Sequence, residues 1–444
     1  MSGNGPRGLI IAAASSHSGK TLVTMGLIGA LRRSGLSIAA AKCGPDYIDP
    51  KFLEAASGRA AINLDPWAMS PERLKAIAAG QAAGADILIV EGVMGLYDGG
   101  TGGAGSTASL AAALGLPVLL IVDGQGTAQT AAAVADGLAR QAEGFDVIGA
   151  LVNRCGSARH GNLLREGFTR IDVPLLGTIA RSGGIAVPSR HLGLVQAAEH
   201  GGLNGLVEQA SELIEANVDL DRIMDLAARV DQGGFSAPCL DAEFKSAALL
   251  PPGQRIAVAQ DVAFAFAYPH ILQGWHAAGA EVSTFSPLAD EAPDSQVDWI
   301  FLPGGYPELH AGALAAAGTF RAGMLAAAKR GAAIYGECGG FMVLGDAIID
   351  ADGASHAMLG LLPLTTSFKE RKLHLGYRTL TPLAGSLWDM PLKAHEFHYA
   401  SIVSEGQADR LFNAGTGDGE PLGEIGLRRG RVMGSFAHVI EAGT

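Results

Sequence analysis

Short apolar runs alternate with alanine-rich stretches through the first half of the chain, and that alternation is the strongest constraint on its fold. Residues 8–14, 37–41, 87–90, 118–122 and 147–152 are continuous apolar runs, the pattern of strands covered on both faces. Between them, residues 21–34, 71–84, 107–114 and 127–143 read as helices. Strand–helix alternation predicts a parallel sheet wrapped by helices. Residues 206–230 read as a helix that closes this unit. Residues 231–253 contain Gly233-Gly234, Pro238 and Pro251-Pro252 and read as a linker. A second alternating unit follows, with strands expected at 256–258, 281–285, 299–302 and 332–335 and helices at 269–278 and 320–330. From Leu359 onward, turn and β character increase. The expected organisation is α/β, in two domains, 1–230 and 254–444.

A chain of 444 residues has enough length for two cores. Its formal net charge of −12 argues against a nucleic-acid partner, which needs a basic face. The four cysteines are widely scattered, with no CxxC and no Cys/His cluster. Neither a disulfide framework nor a zinc site is expected, and a cytoplasmic setting fits. The apolar run at 9–14 is too short for a signal peptide. The longest apolar stretch, 111–122, includes Gly115 and Pro117 and falls short of the roughly 20 residues of a membrane span. No membrane partner is expected.

The first strand runs into Ser15-Ser16-His17-Ser18-Gly19-Lys20-Thr21 ahead of a helix. Strand, loop and helix in this order form a phosphate loop, with Gly19, Lys20 and Thr21 matching the pattern and Ala14 replacing its first glycine. Backbone N–H groups at the helix start face phosphate, Lys20 reaches the β/γ oxygens of ATP, and the Thr21 hydroxyl ligates Mg²⁺. Acidic segments follow two further strands: Gly44-Pro45-Asp46-Tyr47-Ile48-Asp49-Pro50 and Glu91-Gly92-Val93-Met94-Gly95-Leu96-Tyr97-Asp98-Gly99. Ligands of an open parallel sheet bind beyond the carboxyl ends of its strands. Asp46 and Glu91 are therefore candidate metal ligands, and Asp98 and Tyr47 are candidates for positioning substrate.

In the second unit, Gly336-Glu337-Cys338-Gly339-Gly340 follows a strand and precedes an apolar helix. This is the cysteine version of a nucleophile elbow. A helix N-terminus is expected to lower the pKa of Cys338. Upstream, Pro303-Gly304-Gly305-Tyr306-Pro307-Glu308 offers bare N–H groups, so Gly305 and Gly339 are the expected oxyanion hole. A base is needed, and His395, His398 and His438 are candidates, with His438 preferred.

Taken together, these segments resemble the cobyrinic or hydrogenobyrinic acid a,c-diamide synthases. So do Asn63-Leu64-Asp65-Pro66-Trp67 and Pro188-Ser189-Arg190-His191-Leu192-Gly193-Leu194. The resemblance covers nearly the whole chain. It implies a dethiobiotin-synthetase-like amidoligase domain followed by a class I glutamine amidotransferase domain. It also implies that Thr21, Asp46 and Glu91 ligate magnesium and that Asn153 reads adenine. ATP, L-glutamine and hydrogenobyrinic or cobyrinic acid are the implied substrates, with the cobalt-free ring favoured, and the implied assembly is a homodimer. Arg190 and His191 belong to a family motif without a derivable role. Many triad amidotransferases carry Glu two residues after the histidine, where Ile440 stands here. The implied glutaminase is then a Cys338/His438 dyad.

Two rivals differ in what they need. Cobyric acid synthase shares both modules and amidates other side chains, but the 44–50 segment and the compact length favour the a,c enzyme. A partitioning-type P-loop ATPase needs a lysine five residues before Lys20, where Ser15 stands.

Overall fold

The computed structural model describes residues 5–181, 189–190, 193–194, 201–230 and 249–443. The chain divides into two compact units, 1–241 and 242–444. Most of the expected linker, and His191, lie outside the described residues.

Seven strands of the first unit run parallel. Their spatial order is Ile62–Leu64, Ile38–Cys43, Ile87–Glu91, Arg7–Ala13, Val118–Asp123, Val147–Cys155 and Leu175–Ala180. All five predicted strands are present and adjacent. The two that the sequence did not announce are the ends of the row. Leu175–Ala180 mixes buried, half-buried and exposed positions, and Gly177 and Thr178 interrupt its apolar run. The central strand, Arg7–Ala13, is almost wholly buried and delivers the phosphate loop to the middle of the sheet's carboxyl edge.

The helix expected over 206–230 is instead two helices, Leu203–Glu215 and Leu220–Leu226, followed by the short strand Ala228–Arg229. The break has a local cause. Val218 bridges to Gly177, and the Asp219 carboxylate accepts the Arg222 N–H at 3.0 Å, capping the next helix. Ala228–Arg229 then pairs antiparallel with the start of the central strand. The helix Lys20–Arg33, which carries Lys20 and Thr21 in its first turn, packs on Leu203–Glu215. A Cβ at Gly26 would lie 2.6 Å from the Ala210 carbonyl oxygen, and one at Gly29 would collide with the Ser211 hydroxyl.

The second unit holds a ten-stranded sheet. Glu281–Phe285, Arg255–Ala259, Trp299–Leu302, Ala333–Glu337 and Val432–Ser435 run parallel. The sheet continues antiparallel through Pro421–Arg429, Asp409–Thr416, His374–Pro382, Leu392–His398 and Ala437–Ala442. The four predicted strands form most of the parallel part. A core that includes Ile300, Leu302, Phe320, Ile334 and Phe341 backs it. A separate four-stranded sheet is built from segments between 347 and 405. No helix among the described residues is long and apolar enough to cross a membrane.

Gly26→Val is expected to lower the stability of the first unit by about 1–3 kcal/mol, because the added side chain must enter a filled helix–helix contact. The urea midpoint measures this. An unchanged midpoint would show that the two helices separate freely.

Candidate active sites

The phosphate loop enters its helix at Gly19, which adopts φ 87°. A side chain there would collide with the Asn153 amide. Asn153 Nδ2 donates to the Ser18 carbonyl at 2.9 Å, and its Oδ1 accepts the Arg154 N–H at 2.9 Å. Both ends of the amide expected to read adenine are thus engaged with the protein, one of them with the loop itself. Arg154 adds a second tie, donating to Asp123 at 2.6 Å and to the His17 carbonyl at 2.7 Å. Lys20 Nζ donates to the carbonyls of Met94 and Ser15. Burial and the neighbouring Lys42 pull Lys20 down to about 8, against the pull of Glu91, Asp49 and Asp98.

Beside Lys20 lies a buried set of oxygen donors. Thr21 Oγ1 donates to Glu91 Oε1 at 2.8 Å and to Asp49 Oδ2 at 3.4 Å. Lys42 Nζ meets the same two oxygens, at 2.8 and 2.6 Å. Burial works against the Lys42 charge, but Asp49 and Glu91 outweigh it and hold the ammonium charged. Burial also lifts Glu91 to about 7, partly opposed by Lys42. Asp46 has a different posture from Asp49. Its Oδ1 accepts the N–H groups of Ile48 and Asp49, at 2.7 and 2.9 Å, and so shapes the turn into the helix Asp49–Ser57. Burial, with Asp49 adding, raises it to about 6. Asp98 Oδ2 accepts the Gly95 N–H at 2.9 Å and closes its own loop, and Tyr47 is buried.

Lys42 is the functional residue that sequence reasoning passed over. Its signal was a lysine inside an otherwise apolar strand, IAAAKC, whose every residue is buried. The Thr21 hydroxyl and the Asp49 and Glu91 carboxylates are hard oxygen donors of the kind magnesium takes, while Asp46, the ligand expected from the sequence, is engaged with the turn beside them. Glu91 Oε2 is buried with no hydrogen-bond partner among the described residues, as a carboxylate awaiting a cation would be. The donor set fits the metal.

In the second unit, Cys338 stands at φ 46° and ψ −102°, between the strand Ala333–Glu337 and the helix Gly339–Leu344. Its N–H donates to the Ser435 carbonyl at 2.8 Å, so the elbow is bonded to the strand that leads to His438. Glycines make the turn fit. A Cβ at Gly340 would collide with the Leu302 carbonyl, one at Gly339 would lie 3.0 Å from the Gly305 nitrogen, and one at Gly304 would collide with the His438 ring. The backbones of Gly305 and Gly339 are therefore neighbours, as a shared oxyanion hole requires.

The expected lowering of the Cys338 pKa is not what the structure gives. Burial raises the thiol, and Glu308, Glu396 and Glu337 add to it, outweighing the Gly339 N–H. The following helix has only six residues, too little to offset that burial. Cys338 is thus held towards its thiol form. His438 is fully buried and held neutral, down to about 3, by burial and by His395 and His398.

The strand Leu392–His398 walls the nucleophile, with the Phe397 carbonyl 4.0 Å from Cys338 Sγ. His395 is paired in register with His438 and drops to about 4 through burial and Arg378. His398 lies 2.9 Å from Glu396 and stacks on Phe436. His374, Glu396 and His398 bring ligand-type atoms within 4.8 Å of one another, but Arg378 already donates to Glu396 at 2.7 Å and supplies the cation there.

Glu91 and Asp46 generate a pH prediction. A carboxyl whose folded value is raised binds its proton more tightly in the folded state. Its contribution to stability is complete below its ordinary value and is lost as pH rises through the raised one. For Glu91 that window runs from 4.5 to about 7. In chelator, the stability of Glu91→Gln relative to the parent is expected to rise between about pH 5 and about pH 7. Urea midpoints read this, and a constant difference would mean that Glu91 titrates normally.

Comparison with known proteins agrees with both halves of this geometry. Residues 9–195 match the CobQ/CobB/MinD/ParA nucleotide binding domain, and residues 255–443 match the CobB/CobQ-like glutamine amidotransferase domain. A hydrogenobyrinate a,c-diamide synthase from Sinorhizobium sp is 53% identical over 434 residues, 98% of each chain. One from Brucella abortus is 53% identical over 436 residues, again 98% of each chain. One from Rhodobacter capsulatus is 48% identical over 443 residues, 98% of this chain and 99% of the relative. With both units matched end to end, the chain belongs to the hydrogenobyrinate a,c-diamide synthase family.

Proposed function

We propose that this protein converts the a and c acetate carboxylates of hydrogenobyrinic acid into carboxamides, consuming ATP and glutamine. One observation supports the reading above all. A phosphate loop backed by a hydroxyl–carboxylate set, and a cysteine on a strained elbow with a buried histidine, occupy the two units of one chain. The full-length relatives support the choice of the cobalt-free macrocycle.

In the first unit an acetate oxygen attacks the γ-phosphorus of ATP. A C–O–P bond forms, the bond to the β-phosphate oxygen breaks and ADP leaves. Gly19 and the loop N–H groups cradle the phosphates, and Lys20 exchanges its carbonyl partners for phosphate oxygens. Thr21, Glu91 and Asp49, with Asp46 supporting their turn, are the residues that would hold Mg²⁺. When bound there, the metal offsets negative charge on the phosphates. Asn153 fixes the loop against which the nucleotide lies. Tyr47 and Asp98, on the two acidic loops, are the residues that would position the macrocycle, with Asp98 closing its own loop on Gly95.

In the second unit Cys338 Sγ attacks the side-chain amide carbon of glutamine, and His438 takes the thiol proton. N–H groups at Gly305 and Gly339 hold the oxyanion. His438 returns the proton as the C–N bond breaks, ammonia leaves, and water then hydrolyses the thioester to glutamate. Ammonia attacks the acyl phosphate, phosphate leaves and the carboxamide remains. Activation is required because a carboxylate is a poor acyl donor.

The test is product mass after incubation with hydrogenobyrinic acid, ATP and magnesium, with either glutamine or ammonium as nitrogen source. Cys338→Ser is expected to lose amidation with glutamine and keep it with ammonium. Lys20→Ala is expected to lose both, because the β/γ-phosphates lose their loop cation. Retained glutamine use in Cys338→Ser would remove Cys338 from its role. Diamide formation at the parental rate in Lys20→Ala would remove the phosphate loop from the reaction.

A further inference from the structure

A buried histidine serves as a base only when its ring is held in the right tautomer. The nitrogen away from the substrate must carry the proton, and an acceptor must fix it there. The place where many triad amidotransferases carry that acceptor, two residues after the histidine, is Ile440. The next acid along, Glu441, is committed elsewhere, since its carboxylate accepts the Leu249 N–H at 3.2 Å. The strand is also bulged at this point, where Val439 and Glu441 face the consecutive residues Ala394 and Lys393. The bulge removes residue 440 from regular register.

Another carboxylate reaches the ring from a different direction. Glu337 is the last residue of the strand before the nucleophile and is buried. Its Oε2 lies 3.8 Å from His438 Nδ1, and its Oε1 accepts the Val439 N–H at 2.9 Å. The same side chain therefore lies beside the ring, one small shift from hydrogen-bond distance, and grips the backbone one residue beyond it. This hold follows from the sheet. Ala333–Glu337 and Val432–Ser435 are parallel neighbours with Glu337 opposite Ser435, so a side chain at 337 reaches the segment that follows 435.

We propose that Glu337 is a positioning residue for His438, supplying from the residue before the nucleophile the acceptor that triad enzymes supply from beyond the histidine. With Nδ1–H directed at Glu337, Nε2 keeps its lone pair. The S–H bond of Cys338 breaks, the Nε2–H bond forms, and the imidazolium keeps its Nδ1–H on the adjacent Glu337 carboxyl oxygen until the proton passes to the departing nitrogen of glutamine. Burial lifts Glu337 to about 8, opposed by the Val439 N–H and by Tyr335, and lowers His438 to about 3. The proposal rests on the glutaminase reading of Cys338 and His438.

Glu337→Gln discriminates positioning from plain structure. Its amide oxygen can still accept the Val439 N–H, but its NH₂ faces Nδ1 and favours the wrong tautomer. The expected result is a fall in kcat for glutamine hydrolysis of about 10²–10⁴-fold with KM changed less than about threefold. Amidation driven by ammonium should persist. Glu337→Asp keeps the charge but withdraws it by one methylene, and should lose less, about 10–10²-fold. A folded Glu337→Gln enzyme with parental kcat overturns the proposal, whatever its Tm. If Glu337→Gln does not fold, Glu337→Asp decides: parental kcat overturns the proposal, and a fall at unchanged KM upholds it. Failure of the glutaminase reading looks different, since the parent would then hydrolyse no glutamine, or Cys338→Ser would hydrolyse it at the parental rate.

Discussion

Gly340 lies so close to the carbonyl oxygen of Leu302 that no methyl group fits between them, and Gly304 presses equally hard on the His438 ring. The same economy governs the first unit, where Gly19 abuts Asn153 and Gly26 abuts Ala210. In each case a missing side chain lets two backbone segments, or a backbone and a ring, approach within van der Waals contact. The positions of Lys20, Thr21, Cys338 and His438 all follow from these approaches. A strained residue such as Cys338, at φ 46°, persists only because its surroundings leave it no alternative.

Both sites also bury ionisable groups, and they resolve the cost differently. In the first, one ammonium, Lys42, lies within hydrogen-bond distance of both Asp49 and Glu91 and stays charged. In the second, Cys338, His438 and Glu337 are each pushed towards their neutral forms. One site thus keeps a buried cation between its acids, and the other keeps its ionisable groups near neutrality.

How much of this could be read from the sequence depends on what each signal measures. Continuous apolar runs report burial on both faces, so the five inner strands of the first unit were legible while the mixed Leu175–Ala180 was not. Paired glycines around Cys338 report backbone strain, so the elbow was legible too. Motif spacing does not report burial depth, and the Cys338 thiol was accordingly misjudged as acidified. Nor does spacing report which acid turns inward. Asp46 and Asp49 are three residues apart, yet one caps a turn while the other meets Thr21 and Lys42. Glu337 lies 101 residues before His438 and comes beside it only across the sheet, a proximity that spacing along the chain does not carry.

The N–H of Cys338 bonds directly to the carbonyl of Ser435, yet residues 345–431 intervene along the chain. That long excursion leaves the nucleophile strand and returns beside it. Its own pieces include the four-stranded sheet and the strand Leu392–His398 that walls the sulfur. The detour is also part of the frame, because Leu392–His398 pairs with Ala437–Ala442 and sets His395 opposite His438. The chain that separates sulfur from imidazole in sequence is thus the same chain that braces the imidazole in space, so a change in its length is free only in the pieces that do not pair with either strand.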